Sequence, residues 1–396
     1  MSLTDTPNAS RLHIAFFGRR NSGKSSLINA LTGQDTALVS DTPGTTTDLV
    51  SKAMEIQGIG PCLFIDTPGF DDEGELGELR ISRTLKAIEK TDIALLLCGD
   101  TTFSHEKEML TLLKEKNIPV IPVLNKIDIR ENSDHLATYI EEQCKIHPLL
   151  ISAKEKIGIE LIRQAILEKL PSDFGQQSIT GELVTENDLV LLVMPQDIQA
   201  PKGRLILPQV QTIRELLDKK CLVVTCTTDK FPATLQALAR LPKLIITDSQ
   251  VFKTIYEQKP KESELTSFSV LFAGYKGDIH YYVESAATIE RLTESSRVLI
   301  AEACTHAPLS EDIGRVKLPR LLRKRIGENL QIDMVAGTDF PQDLTPYSLV
   351  IHCGACMFNR KYVLSRIERA REQHIPMTNY GVAIAFLNGI LDQIKY

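Results

Sequence analysis

Along the first 170 residues, short apolar runs alternate with stretches of helical period. The runs are Leu12 to Phe17, Cys62 to Ile65, Ile93 to Cys98, Pro119 to Leu124 and Pro148 to Ile151. Strand-length apolar runs separated by amphipathic helices are what parallel βαβ units require, because strands buried on both faces carry few polar positions. Pro171 to Gly181 has no apolar period and reads as a linker. Beyond it, strands are expected at Leu189 to Met194, Cys221 to Thr225 and Lys243 to Thr247, with crossover helices at Pro208 to Lys219 and Phe231 to Leu241. So small a βαβαβ layer has open edges and should self-associate. The charged stretch Glu257 to Glu264 ends it. The last part alternates again, with strands expected at Ser269 to Phe272, Arg297 to Ala303, Gln331 to Val335 and Ser348 to His352. The expectation is an α/β chain of three domains, 1–172, 182–262 and 265–396. No internal repeat interrupts it.

Composition narrows the classes. The chain has 396 residues, 43% apolar and 24% charged, which suits two or three globular domains and excludes a largely disordered or fibrous chain. Its 45 Lys and Arg against 51 Asp and Glu give a net charge of −6. That balance argues against a nucleic-acid partner, since neutralising phosphates needs a basic face. No apolar run approaches the roughly 20 residues that cross a bilayer, and Met1 to Arg11 lacks the order of a secretory signal. A cytoplasmic, reducing location follows as the expectation, so the eight cysteines are read as thiols or metal ligands.

Two sets of motifs carry chemistry. The first starts at Gly18-Arg-Arg-Asn-Ser-Gly23-Lys24-Ser25, which fits G-x-x-x-x-G-K-[ST] between an expected strand and an expected helix. Glycines let the backbone N–H groups of Gly18 to Ser26, including Asn21 and Ser22, face phosphates. Lys24 adds charge at the β and γ oxygens, and the Ser25 hydroxyl is a magnesium ligand. Asp66-Thr-Pro-Gly69 supplies a carboxylate that orders magnesium and, at Gly69, an N–H for the γ-phosphate. In Asn125-Lys126-Ile-Asp128 the Asp128 carboxylate can accept from both donors on the guanine edge, a pair that adenine lacks. Ser152-Ala153-Lys154 would close over the base. All four stand in the order a GTP site needs.

These residues resemble the translation-factor-like GTPases, and within them the group that contains the tRNA-modification GTPase and the ribosome-associated Era proteins. The switch signature of that group, G-T-T-x-D, stands here as Gly44-Thr45-Thr46-Thr47-Asp48. The resemblance implies that Thr46 reaches magnesium in the GTP state. Phe70 follows Gly69, so the water-positioning glutamine of Ras-like proteins is missing and slow hydrolysis or another device is implied. Relatives with Asn at the position of Asn21 hold potassium near the phosphates, which would make Asn21 catalytic beside Lys24 and Thr46. The plainer role for Asn21 is to tolerate a tight turn.

The second set is Cys304-Thr-His306 and His352-Cys353-Gly-Ala-Cys356, each at the end of an expected strand. If those strands are parallel neighbours, the thiols converge in one crevice. Three thiolates with an imidazole would satisfy tetrahedral zinc, whereas three thiolates alone leave a cubane iron–sulfur cluster with one open iron. His306 and His352 are each either a ligand or an orienting hydrogen-bond partner. Cys62, Cys98, Cys144, Cys221 and Cys226 lie in strand-like or helical apolar segments and read as small core hydrophobes.

A GTPase domain followed by C-x-H and H-C-x-x-C resembles the family of FeFe-hydrogenase maturation GTPases, and the resemblance spans the chain, including Ala200 to Pro208 and Glu311 to Arg320. It implies three domains, a homodimer through the middle one, and a 4Fe–4S cluster on Cys304, Cys353 and Cys356. It further implies that a diiron precursor is accepted from radical-SAM maturases and delivered to apo FeFe-hydrogenase, with neither nucleic acid nor membrane as partner. Two other readings stay beside it. One is an Era- or TrmE-like GTPase of ribosome or tRNA metabolism, which would need a basic RNA-binding domain. The other is a GTPase with a structural zinc.

Overall fold

The computed structural model describes residues 6–33, 50–69, 83–99, 103–171, 174–175, 177–195, 205–303 and 313–396. Contacts divide the chain into two compact units, Met1–Phe174 and Gly175–Tyr396. The first holds a six-stranded sheet of β1 (Leu12–Gly18), β2 (Val50–Ile56), β3 (Gly60–Asp66), β4 (Ile93–Cys98), β5 (Val120–Leu124) and β6 (Leu149–Leu150), in spatial order β2-β3-β1-β4-β5-β6. β1 is parallel to β3 and β4, β4 to β5, and β5 to β6. Every residue of β1, β4 and β5 is buried because helices cover both faces. Leu27, Ile28 and Ile162 pack on Phe16 and Phe64 on one side. On the other, Leu110, Leu113 and Ile140 pack on Phe17 and Leu96. β2, absent from the sequence reading, runs antiparallel to β3 as an edge strand. Its apolar residues are interleaved with Ser51, Lys52 and Glu55, so it offers no apolar run.

The second unit holds two four-stranded sheets. One comprises β7 (Leu189–Val193), β8 (Leu222–Cys226), β9 (Leu244–Thr247) and β10 (Glu264–Ser267) in the order β10-β9-β7-β8. The other comprises β11 (Arg297–Glu302), β12 (Gln331–Ala336), β13 (Leu349–His352) and β14 (Met377–Asn379) in the order β12-β11-β13-β14. All their pairings are parallel. A single apolar cluster runs through both, with Leu191 and Ile245 from the first sheet and Leu299 and Val350 from the second.

Two expectations need correction. The strand expected at Ser269 to Phe272 is part of the helix Phe268–Lys276, capped by the Ser267 hydroxyl, which accepts from the Val270 N–H. The helix buries Phe268, Val270, Leu271, Phe272 and Ala273 between layers, so its sequence is apolar all round and shows no helical period. The middle layer also does not end at the charged stretch. A helix, Phe252–Gln258, precedes it, and β10 follows and pairs with β9. The Pro171 to Gly181 segment is partly docked, since Ile179 and Thr180 are buried and tied to Glu215.

Candidate functional site

The carboxyl ends of β1, β3, β5 and β6 bring the nucleotide motifs to one edge of the first sheet, where open α/β sheets bind ligands. After β1 the chain turns through Asn21 (φ 58) and Gly23 (φ 93) into the helix Lys24–Thr32. A Cβ on Gly23 would lie 2.3 Å from Asn125 Nδ2, so only glycine fits. Lys24 Nζ donates to the carbonyls of Gly18 and Arg19, both at 2.9 Å. Ser25 Oγ donates to Asp66 Oδ2 at 2.6 Å, which places the two expected magnesium ligands side by side. Burial pushes the Asp66 carboxyl above its ordinary range, partly offset by that hydrogen bond and by the Lys24 charge. A divalent cation between Ser25 and Asp66 would relieve the desolvation. Thr67 Oγ1 donates to the Phe16 carbonyl at 2.6 Å and fixes the end of β3 against β1. Gly69 follows two residues later.

The base-recognition side is built around Asn125, which is buried. Its Oδ1 accepts from the N–H of Lys126 at 2.8 Å and of Ala153 at 3.0 Å, and its Nδ2 donates to the Ser22 carbonyl at 3.2 Å. One side chain thus ties three motifs together. Lys126 Nζ donates to the Asn21 carbonyl at 2.7 Å. Asp128 accepts from Ser152 Oγ at 2.6 Å, a bond that holds its carboxylate below the ordinary range and leaves it acceptor-only for a base. Lys154 is exposed and pairs with Glu155. Thr46, the rest of the switch signature and Phe70 lie outside the described residues.

Sequence reasoning missed Arg19, whose guanidinium stands 3.0 Å from the fully buried carboxylate of Glu106 and braces the phosphate loop against the helix Ser104–Glu115. The signal was available. Glu106 is in phase with Met109, Leu110 and Leu113 on the buried face of that helix.

In the second unit, β11 and β13 are parallel neighbours, as the convergence of the cysteine motifs requires, with Ala301 opposite His352. Cys353 Sγ accepts from the N–H groups of Ala303 at 3.0 Å and Ala355 at 3.4 Å. Such N–H donors favour a thiolate, while burial, with the nearby Cys356 thiol, pushes the metal-free Cys353 thiol up to about 11. Cys356 is partly exposed. Cys304 and His306 lie outside the described residues, and among the described residues no group of three metal-binding side chains is assembled.

His352 is fully buried and both its ring nitrogens are engaged. Nε2 meets an Arg366 nitrogen at 2.8 Å and Nδ1 meets the Cys353 carbonyl at 2.8 Å. A guanidinium can only donate, so Nε2 is the acceptor and Nδ1–H donates. Burial, with the Arg366 charge, pushes the imidazole down to about 3. With both ring nitrogens engaged, His352 links Arg366 to the start of the loop in this structure. Lys276, at the end of the helix Phe268–Lys276, donates to the carbonyls of Ala355, Cys356 and Phe358 at 3.3, 3.3 and 2.6 Å. Burial lowers Lys276 to about 8, with the Cys356 and Cys353 thiolates acting in the opposite direction. The other cysteines follow the expected core role: Cys62, Cys98, Cys144 and Cys221 are buried and Cys226 is partly so.

A doubly wound sheet with this phosphate loop, Ser25–Asp66 pair and Asn125–Ala153 anchor defines the first unit as a P-loop GTPase domain. Comparison agrees: residues 13–126 match the family model of the 50S ribosome-binding GTPase. Residues 179–277 match the hydrogen maturase F dimerization domain and residues 280–395 the hydrogen maturase F tetramerization domain. The chain belongs to the hydrogen maturase F family.

Among curated relatives, the tRNA modification GTPase MnmE of Nitrosomonas europaea is 39% identical over 174 residues, which is 43% of this chain and 37% of that protein. GTPase Der of Wolinella succinogenes is 36% identical over 188 residues, 44% of this chain and 39% of that one. The chain therefore spans less than two-fifths of the length of either. Among solved structures, Era of Aquifex aeolicus bound to GDP and aluminium fluoride is 20% identical, with a TM-score of 0.35, covering 57% of this chain and 98% of that one.

Proposed function

We propose that this chain is a magnesium-dependent GTP hydrolase fused to an iron–sulfur carrier. In this reading the second unit holds a 4Fe–4S cluster on Cys304, Cys353 and Cys356, accepts a diiron precursor from radical-SAM maturases and delivers it to apo FeFe-hydrogenase in the cytoplasm. The observation that carries it is the loop after β13, where two backbone N–H groups already point at Cys353 Sγ beside the strand that leads to Cys304. These donors fit a thiolate ligand, and a cluster bound there would supply an iron site at which cargo can dock and leave. The engaged His352 weighs against a zinc site of three cysteines and that histidine, leaving His306, a carboxylate or an exchangeable group for the fourth position.

Hydrolysis would use Lys24 and Thr46 at the phosphates and potassium near Asn21 in place of the missing glutamine. The left-handed conformation of Asn21 is by itself enough to favour asparagine, so the cation role rests on the family resemblance. The dimerization and tetramerization matches support a homo-oligomer, which we place first at the middle part of the three-domain division 1–172, 182–262 and 265–396. There β8 is an edge strand with Leu222 half exposed, open to pairing with a second copy. Among the described residues no helix is long and apolar enough to cross a membrane. The test is whether the anaerobically loaded protein, exposed first to its maturases, activates apo-hydrogenase. No activation beyond that of the cysteine variants would refute the carrier role.

A further inference from the structure

The loop that carries Cys353 and Cys356 is gripped by two buried cations from two different helices, and among the described residues neither has a carboxylate partner. Lys276 is 3% exposed and spends its donors on three carbonyls of the loop. Arg366, in the helix Arg360–Glu372, is 1% exposed. It donates to the Gly337 carbonyl at 2.6 Å and to His352 at 2.8 Å, and its carbon lies over the rings of Phe340, Phe358 and Tyr362 at 4.6 to 4.7 Å. Its Nε is buried without a hydrogen-bond partner.

Placing a cation in such surroundings is costly unless an anion compensates it, and aromatic faces and carbonyl dipoles compensate only in part. Arg366 acts through a neutral relay, since the imidazole of His352 accepts from it and donates to the Cys353 carbonyl. Lys276 acts on the Cys356 side of the same loop. Among the described residues no acidic side chain is bonded to either cation, and the groups that become anionic on binding a metal are the two thiols, Cys353 and Cys356 near Lys276 and Cys353 near Arg366.

We propose that Lys276 and Arg366 are positioning residues that supply the counter-charge of an anionic thiolate-ligated cluster and set its reduction potential. This rests on the iron–sulfur reading above. Reduction adds an electron beside two fixed positive charges, so each charge stabilises the reduced form and raises the potential.

The test is an EPR-monitored redox titration of the full chain after anaerobic reconstitution. Lys276→Gln keeps a donor for the loop but loses the charge, and its midpoint is expected at a more negative potential. Lys276→Arg keeps the charge and is expected at the wild-type value. Arg366→Gln, on the other helix, is expected to repeat the negative shift. For a variant too unstable to titrate, the readout is the gain in Tm on loading the cluster, expected to be smaller than in wild type when a charge is lost. Equal midpoints and equal Tm gains in all four proteins would overturn the inference while leaving the cluster in place. A wild-type protein without a cluster signal would overturn both.

Discussion

Replacing Asn125 by alanine removes the side chain that joins the phosphate loop to the base-recognition segments without, in this structure, removing any charge from the site. The three hydrogen bonds lost, to Ser22, Lys126 and Ala153, measure 3.2, 2.8 and 3.0 Å, and the side chain is 3% exposed, so water cannot freely replace them. At about 1 kcal/mol net for each bond the assembled site loses about 3 kcal/mol. If nucleotide binds only the assembled site, this lowers affinity by on the order of 10²-fold. The factor should be the same for GDP and GTP, because none of the three bonds lies where a γ-phosphate would be read. The assay is equilibrium titration with fluorescent GDP and GTP analogues. A loss below about threefold, or a loss confined to GTP, would show that Asn125 does not organise the site in this way.

Asp128→Asn should weaken GTP on the order of 10²-fold and favour xanthosine nucleotides, because an amide offers a donor where the carboxylate accepts; unchanged guanine selectivity in competition binding would contradict the assignment. Turnover should rise when potassium replaces sodium, and Asn21→Ala should abolish the difference, whereas equal rates in the two salts refute the cation role. Glu215 is pushed up by burial, but the Ile179 and Thr180 N–H groups and the Thr180 and Ser178 hydroxyls outweigh this and hold it below its ordinary value of 4.5. Its folded pKa being the lower, the tether is complete above about pH 4.5 and lost as pH falls through the folded value. Amide protection at Ile179 and Thr180 should therefore drop on acidification in wild type and be low at all pH values in Glu215→Gln; protection independent of both would dismiss the tether.

The placement of the phosphate-loop, Asp66, Asn125 and Ser152 segments was legible because they are contiguous motifs at strand ends, and the fold brings Ser25 to Asp66 and Asn125 to Ser22 and Ala153. β1, β4 and β5 were equally plain, being apolar along their whole length. β2 was not, since its apolar residues are interleaved with polar ones, and the helix Phe268–Lys276 was mistaken because burial on all sides erases the helical period. The pocket around the cysteine loop was half legible. Cys353 and Cys356 announce themselves by spacing, but Lys276 comes from a helix remote in sequence, and Arg366, in the helix Arg360–Glu372 that directly follows the loop, stands in no recognisable motif. Their sign was a charge in the phase of a buried face: Arg366 shares its face with Tyr362, Val363, Ile367 and Ala370. Glu106 carries the same sign in the first unit. The state of His352 could not be read from spacing at all, because it depends on a guanidinium that only the fold delivers.

The carrier role proposed above requires that the second unit hold iron and sulfide rather than zinc. Anaerobically purified chain, analysed for iron, sulfide and zinc and then reduced for EPR, tests it most directly. About four irons and four sulfides per chain are expected, with a reduced-cluster signal that changes on adding imidazole or cyanide, both lost in Cys353→Ser while GTP hydrolysis persists. One tightly bound zinc per chain without iron, or a cluster signal indifferent to added ligands, would contradict it.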